Sequence, residues 1–193
     1  MTVATRTAPI TGLTPNTTYH ARMVASDAAG TTYGPDITFT TPPMAPTVQT
    51  GAASGVSSNG ATLNGTVDDN YGPISDAHFE WGATTAYGNT VPLPSFNPGP
   101  AAAAAAAANI SVAPSTTYHF RLVATNAGGT TYGADQSFTT LAVAPTVTTA
   151  PATAVSTNGA TLNGTVDASG STLTDCHFEW GPSTAYGNST PCS

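Results

Sequence analysis

The chain has 193 residues, and only 7% of them are charged: three arginines and no lysine stand against ten acidic residues. The formal net charge of −7 excludes binding to nucleic acid, because that function needs clustered basic side chains to neutralise phosphates. The same shortage excludes a basic membrane-surface patch, and membrane insertion is not expected because no apolar run approaches the length of a spanning helix.

An internal repeat organises the chain. The segment NGATLNGTVD at residues 59–68 recurs unchanged at 158–167, which is 99 residues later, and HFEWG and TTYH recur at the same offset. Repetition at one fixed period predicts an array of a single structural module. We therefore predict the back half of a module at 1–44, a complete module at 45–143 and the front half of another module at 144–193.

Short strands separated by turn residues follow one another along the complete module. Alternation of apolar and polar residues places Phe79 and Trp81 on the core side of one strand, and Phe120 and Leu122 on the core side of another. About seven strands at this spacing predict an all-β sandwich of two sheets. The main predicted strands, in chain order, are residues 45–56, 61–68, 76–82, 116–126 and 134–140, with a turn and a short edge strand at 84–90.

Two segments resemble the fibronectin type III family of immunoglobulin-like sandwiches: LTPNTTYHARMVASDAAGTTYG at 13–34 and APSTTYHFRLVATNAGGTTYGADQSFTT at 113–140. Tyr19 and Tyr118 stand where that family has its tyrosine corner, near the start of strand F. The FEWG-x3-AYG pattern is similar to repeats along bacterial cell-surface proteins. The resemblance implies tandem sandwiches, and the repeat offset predicts that one is complete and one is split between the two chain ends. It implies no single function, because such sandwiches serve as spacers, adhesins and enzyme accessories alike.

Eight consecutive alanines at 101–108 occupy the position that the 99-residue offset assigns to strand E. Alanine is a poor strand former, and a helix of this length would be marginal. We hypothesise that the native chain carries other side chains here, which the gene sequence would test.

Four polar side chains of the complete module are expected on the outer face of two neighbouring strands: His78, Glu80, His119 and Arg121. A histidine–carboxylate group of this kind is a candidate metal site. The favoured alternative is a cross-strand pair between Glu80 and Arg121, with the histidines packed beside it. We accordingly expect no metal and no other cofactor.

Cys176 and Cys192 are the only cysteines, and their counterparts in the complete module are Ala77 and Leu93. Replacement of both members of an apolar pair predicts that the two positions touch. We therefore predict a disulfide between strands C and C′, which is typical of an oxidising compartment. Two free buried thiols are the alternative, and the spacing is unlike a zinc motif.

Five Asn-x-Ser/Thr sequences are candidate sites for covalent glycans, although the abundance of serine and threonine produces several such sequences by chance. They are Asn16, Asn64, Asn109, Asn163 and Asn188.

We predict a structural protein and not an enzyme, since the chain contains no G-x-S-x-G nucleophile motif. The leading hypothesis is an extracellular or cell-surface filament of identical units. The front half of one unit, residues 144–193 with strands A, B, C and C′, would complete the back half of the next unit, residues 1–44 with strands E, F and G. Such head-to-tail contacts generate open filaments. Three other interpretations stay open: an excerpt of one long repeat chain, a cell-surface adhesin or carbohydrate-binding accessory array, and a linker of a secreted hydrolase. The predicted interface residues are Tyr19, His20, Arg22, His177, Phe178, Glu179 and Trp180.

Overall fold

The computed structural model describes residues 4–94, 96 and 103–193, so Met1 and the first two residues of the alanine run lie outside it. The described residues form strands and no helix, and hence no helix long and apolar enough to cross a membrane. The predicted all-β fold is confirmed. The strands are β1 (Thr18–Ala21), β2 (Val24–Asp27), β3 (Gly30–Tyr33), β4 (Ile37–Thr40), β5 (Thr47–Ser54), β6 (Gly60–Asp68), β7 (Asp76–Gly82), β8 (Asn89–Pro92), β9 (Ala104–Ser111), β10 (Thr117–Asn126), β11 (Gly129–Tyr132), β12 (Gln136–Thr139), β13 (Thr146–Thr153), β14 (Thr161–Asp167), β15 (His177–Trp180) and β16 (Asn188–Pro191).

Two compact units make up the chain. One consists of Met1–Ser54, Thr62–Ala108 and Tyr118–Ser137, and the other consists of Gly55–Ala61, Asn109–Thr117 and Phe138–Ser193. The module boundaries after residues 44 and 143 follow from the sequence period alone, and they stay predictions.

The complete repeat copy contains strands β5 to β12 in two sheets. One sheet has the order β5-β6-β9, and the other has the order β11-β10-β7-β8, with β12 also paired to β10. The antiparallel register of β7 and β10 sets Phe79 opposite Leu122 and Glu80 opposite Arg121. The strands predicted to be neighbours are therefore bonded to each other, and the predicted hairpin between β10 and β11 also forms.

The core of this copy is built from alternate side chains, as expected for strands with one buried face. Five large apolar side chains have no exposed surface: Leu63, Val67, Phe79, Phe120 and Leu122. Leu122 lies directly over Gly65 of β6, where any larger side chain would overlap it. Trp81 is half-buried, and its ring meets the ring of Tyr118 edge-on at 5.9 Å.

The alanine run forms a strand from Ala104 onwards, at the position expected for strand E. Ala106 is only 2% exposed, and β9 is bonded to β6. Pairing with a neighbouring strand thus overrides the low strand propensity of alanine, because propensity is weak compared with tertiary context.

The two incomplete copies form only two-stranded ladders among their described residues: β1 with β4, β2 with β3, β13 with β14, and β15 with β16. In the N-terminal copy the counterpart of β10 is interrupted at Arg22 and Met23, between β1 and β2. The unbroken β10 has β7 along one edge, whereas the described part of the N-terminal copy has no strand bonded there. An edge without a ladder leaves the extended backbone unsupported.

Candidate functional site

An arginine stands at the centre of a polar cluster on the outer face of the complete copy. The Nε of Arg121 donates a hydrogen bond to Oε2 of Glu80 at 2.6 Å. The guanidinium carbon lies 4.7 Å from the ring centroid of Tyr87 and 4.3 Å from that of Tyr132. The cation is therefore held between two aromatic rings and a carboxylate, and each cation–π contact contributes about 0.5–1 kcal/mol at such a partly exposed site.

The loop after β7 positions Tyr87 for this contact. Its amide donates to the carbonyl of Thr84 at 2.9 Å, and its φ of +58° is left-handed. A Cβ at Gly82 would overlap the Tyr87 carbonyl, so only glycine allows the loop to fold back on the strand. This close approach explains the Trp-Gly pair that ends each HFEWG segment.

Asp135 links the tyrosine to a histidine. The Tyr87 hydroxyl donates to Oδ1 of Asp135 at 3.1 Å, and Nδ1 of His119 lies 2.8 Å from Oδ2 of the same carboxylate. Partial burial raises the pKa of Tyr87, and the hydrogen bond and negative charge of Asp135 raise it further. The phenol therefore stays protonated at neutral pH and keeps its role as a donor.

Each histidine of the complete copy forms a hydrogen bond with an aspartate. His78 pairs with Asp76 at 2.8 Å, as His119 does with Asp135. Across the described residues, no three histidine, cysteine or acidic side chains are grouped closely enough to hold a metal ion. Beside Arg121 there is an open cavity of about 220 Å³, with Glu80, Tyr87, Asn89 and Thr90 among its lining residues.

Each incomplete copy carries one part of the same cluster. In the N-terminal copy, Arg22 lies 4.4 Å from the ring centroid of Tyr33, and His20 pairs with Asp36 at 2.7 Å. In the C-terminal copy, Tyr186 has a φ of +53° and its loop repeats the fold-back of the Tyr87 loop. The arginine part and the tyrosine-loop part are thus found on different copies.

The remaining predicted interface residues lie on the same two copies. The Tyr19 hydroxyl accepts a hydrogen bond from the amide of Thr14 at 2.8 Å, as a tyrosine corner does, and its ring stacks on Phe39 at 5.7 Å. On β15, the pair His177–Glu179 spans 4.0 Å. The aromatic residues of β15 differ in burial, with Phe178 half-buried and Trp180 50% exposed.

A disulfide joins Cys176 to Cys192, which flank β15 and β16. The Cys192 amide also donates to the Cys176 carbonyl at 3.0 Å, and the counterparts Leu93 and Ala77 make the same bond at 2.9 Å. The disulfide therefore replaces an apolar pair without changing the backbone pairing.

Several sequon asparagines donate a hydrogen bond from their side-chain nitrogen to a backbone carbonyl, among them Asn16, Asn64, Asn163 and Asn188. A glycan on any of these nitrogens would disturb the bond. Asn64 is the strongest case, because its nitrogen also donates to the hydroxyl of Ser54 at 2.9 Å. The exposed sequon asparagines are Asn16, Asn109 and Asn188.

No family model and no curated protein matches this chain. Three solved structures of the sensor domain of the anti-sigma factor RsgI4 from Pseudobacteroides cellulosolvens are similar to part of it. The shorter form of that domain has a TM-score of 0.42 and 19% identity over 51% of this chain and 96% of its own. The longer form has a TM-score of 0.34 and 22% identity over 52% and 92%, and the solution structure has 0.34 and 19% over 49% and 74%.

Sequence reasoning missed the aromatic half of the cluster. Tyr-Gly pairs recur at Tyr33, Tyr87, Tyr132 and Tyr186. Their recurrence beside a repeated arginine was the available signal, because aromatic faces attract guanidinium groups.

Proposed function

We propose that this chain is a structural subunit of an extracellular filament, in which each junction completes one β-sandwich from two incomplete copies. The proposal is carried by the exposure of side chains whose counterparts form the core of the complete copy. Met23 is 61% exposed and Leu122 is 0% exposed, while Val166 is 41% exposed and Val67 is 0% exposed. Apolar faces of this kind favour association, since burial removes them from water.

Open sheet edges support the same proposal. The counterpart of β15 in the complete copy is β7, which lies between β10 and β8, whereas β15 is bonded only to β16 among the described strands. A strand from a second molecule can add to such an edge and make main-chain hydrogen bonds. The 99-residue offset would then set Arg22 opposite Glu179 and Met23 opposite Phe178, as Arg121 faces Glu80 and Leu122 faces Phe79.

The disulfide supports an extracellular or cell-surface location, because disulfides persist in oxidising compartments. The proposed partner is a further copy of the same chain, and a glycan on an exposed sequon such as Asn109 is compatible with this assembly. Successive repeats of one longer polypeptide would form the same junction. Assembly of separate chains is the version that we put to the test.

Sedimentation velocity and negative-stain electron microscopy of the full chain test the proposal. We expect linear oligomers that lengthen with concentration, and we expect Met23→Asp to prevent them. Thr38→Asp is the matched control, because it adds the same charge at an exposed position whose counterpart, Ser137, is also exposed. A wild-type chain that stays monomeric at every concentration would contradict assembly from separate chains. If a fusion of two chains then folds its junction into a protease-resistant module, one long polypeptide is the correct version.

The cavity beside Arg121 favours a second candidate, a cell-surface adhesin or carbohydrate-binding array. Glu80, Asn89 and Thr90 offer hydrogen-bonding groups around the ring of Tyr87, which is the usual make-up of a small polar site. Saturable binding in a glycan array, lost in Asn89→Ala, would support this function. Absence of saturable binding would count against it.

A further inference from the structure

We propose that Arg22 of one molecule and Glu179 of its neighbour form an ion pair at the junction between two molecules of this chain. This interaction is called the polar lock below. Arg22 of one molecule would lie between the Tyr33 ring of the same molecule and the Tyr186 ring of the neighbouring molecule. The inference rests on the proposed head-to-tail assembly, and it adds the chemical groups that make the junction specific.

The arginine half of the lock is already in place. Arg22 lies 4.4 Å from the ring of Tyr33, and Arg121 lies 4.3 Å from the ring of Tyr132 in the complete cluster. The Arg22 guanidinium therefore lies at nearly the same distance from its own tyrosine in the single molecule. Such pre-organisation lowers the conformational cost of binding.

The acidic half is also in place. The amide of Tyr186 donates to the carbonyl of Ser183 at 3.0 Å, and Tyr87 donates to Thr84 at 2.9 Å in the complete cluster. Glu179 is exposed on β15, two residues before the Gly181 on which this loop folds back. The carboxylate and the aromatic ring that Arg121 uses in the complete copy thus have exposed counterparts, of which Glu179 lies 4.0 Å from His177.

The backbone of the N-terminal copy also indicates that the junction forms at Arg22. The strand of the N-terminal copy is interrupted at Arg22 and Met23, and the corresponding residues of β10 are the ones that face Glu80 and Phe79 of β7. Strand β15 of a second molecule would add to this edge and supply the hydrogen-bonded neighbour that the interrupted strand lacks. Main-chain pairing and the side-chain lock would therefore form together.

An apolar groove borders the lock and fits the same occupant. It has a volume of about 550 Å³, and Met23, Arg22 and Ile37 are among its lining residues. In the complete copy, the counterpart of Met23 packs on Gly65 of β6. We assign the groove to strands β14 and β15 of a second molecule. On these strands, Gly164 is the counterpart of Gly65 in the complete copy. An apolar centre with a polar lock at its edge is the usual anatomy of a specific interface.

Charge reversal in the full-length chain tests the lock. Arg22→Glu and Glu179→Arg should each weaken association about tenfold or more, because each places like charges face to face. An equimolar mixture of the two variants should associate again, since every junction between unlike variants joins either two native or two substituted partners. Arg22→Lys keeps the charge but loses the planar stack, so it should show an intermediate loss.

Sedimentation velocity measures each sample, and circular dichroism melting shows that the variants remain folded. Wild-type association that neither single reversal changes would overturn the lock and leave the filament intact. A mixture that fails to associate would overturn the ion pair. A wild-type chain without self-association would overturn assembly from separate chains and, with it, a lock between separate molecules.

Discussion

Replacing Val166 by aspartate should abolish head-to-tail association. Its counterpart Val67 is fully buried, whereas Val166 is 41% exposed in the single chain. Leaving a charge buried without a partner costs about 3 kcal/mol or more. Losing the remaining burial of valine adds about 1 kcal/mol, since complete burial is worth roughly 1.5–3 kcal/mol. The sum of about 4 kcal/mol corresponds to a roughly thousandfold larger dissociation constant.

Sedimentation equilibrium measures this constant, and Thr165→Asp is the matched control. Thr165 is the neighbouring residue of β14 and points to the opposite face, as its half-buried counterpart Thr66 does beside the buried Val67. The control adds the same charge and should associate like wild type. If Val166→Asp has the dissociation constant of the wild type, the reasoning is refuted. If both variants weaken association equally, the effect is due to net charge.

Three further predictions concern single copies. The double variant Cys176→Ala/Cys192→Leu, which installs the pair found in the complete copy, should destabilise the β15–β16 hairpin by about 3 kcal/mol, because the disulfide closes a loop of separation 16; hydrogen exchange should accelerate there and not in β7. Thr50→Val should destabilise the complete copy by about 1–3 kcal/mol in urea unfolding, because the buried Thr50 hydroxyl accepts a hydrogen bond from the Leu122 amide at 3.1 Å. Tyr87→Phe should remove a titration step above pH 10.0 in the ultraviolet absorbance, since the folded-state pKa of Tyr87 is raised. The stabilisation linked to that shift is complete below pH 10.0 and disappears as pH rises through the folded-state value. Unchanged exchange, unfolding or titration would contradict the respective prediction.

Local alternation was enough to assign the faces of the complete copy. DAHFEWG placed Phe79 in the core and Glu80 outside because successive strand residues point to opposite sides, and both assignments are right. The repeat offset also predicted a contact between two strands, since it identified Ala77 and Leu93 as neighbours from the sequence alone. Their backbone hydrogen bond and the disulfide at the equivalent positions follow from one shared fold.

The Glu80–Arg121 pair was predicted and is present, but the aromatic part of the Arg121 cluster could not be predicted in the same way. Its members come from β7, β10, β11 and the Tyr87 loop, and contacts between such distant segments depend on how strands pair and how the loop returns. Alternation showed that Arg121 faces outwards, but it did not show that two tyrosine rings would enclose the guanidinium.

The sequence by itself determined the all-β class, the period of 99 residues and the inward and outward faces, because these depend on near neighbours and on repetition. Only the tertiary structure decided that the alanine run is extended from Ala104 onwards, since the ladder to β6 outweighs its intrinsic preference. Only the tertiary structure showed that the counterpart of β10 breaks at Arg22 and Met23 in the N-terminal copy. A strand keeps its extended form where a partner satisfies its backbone, and partners come from distant parts of the chain.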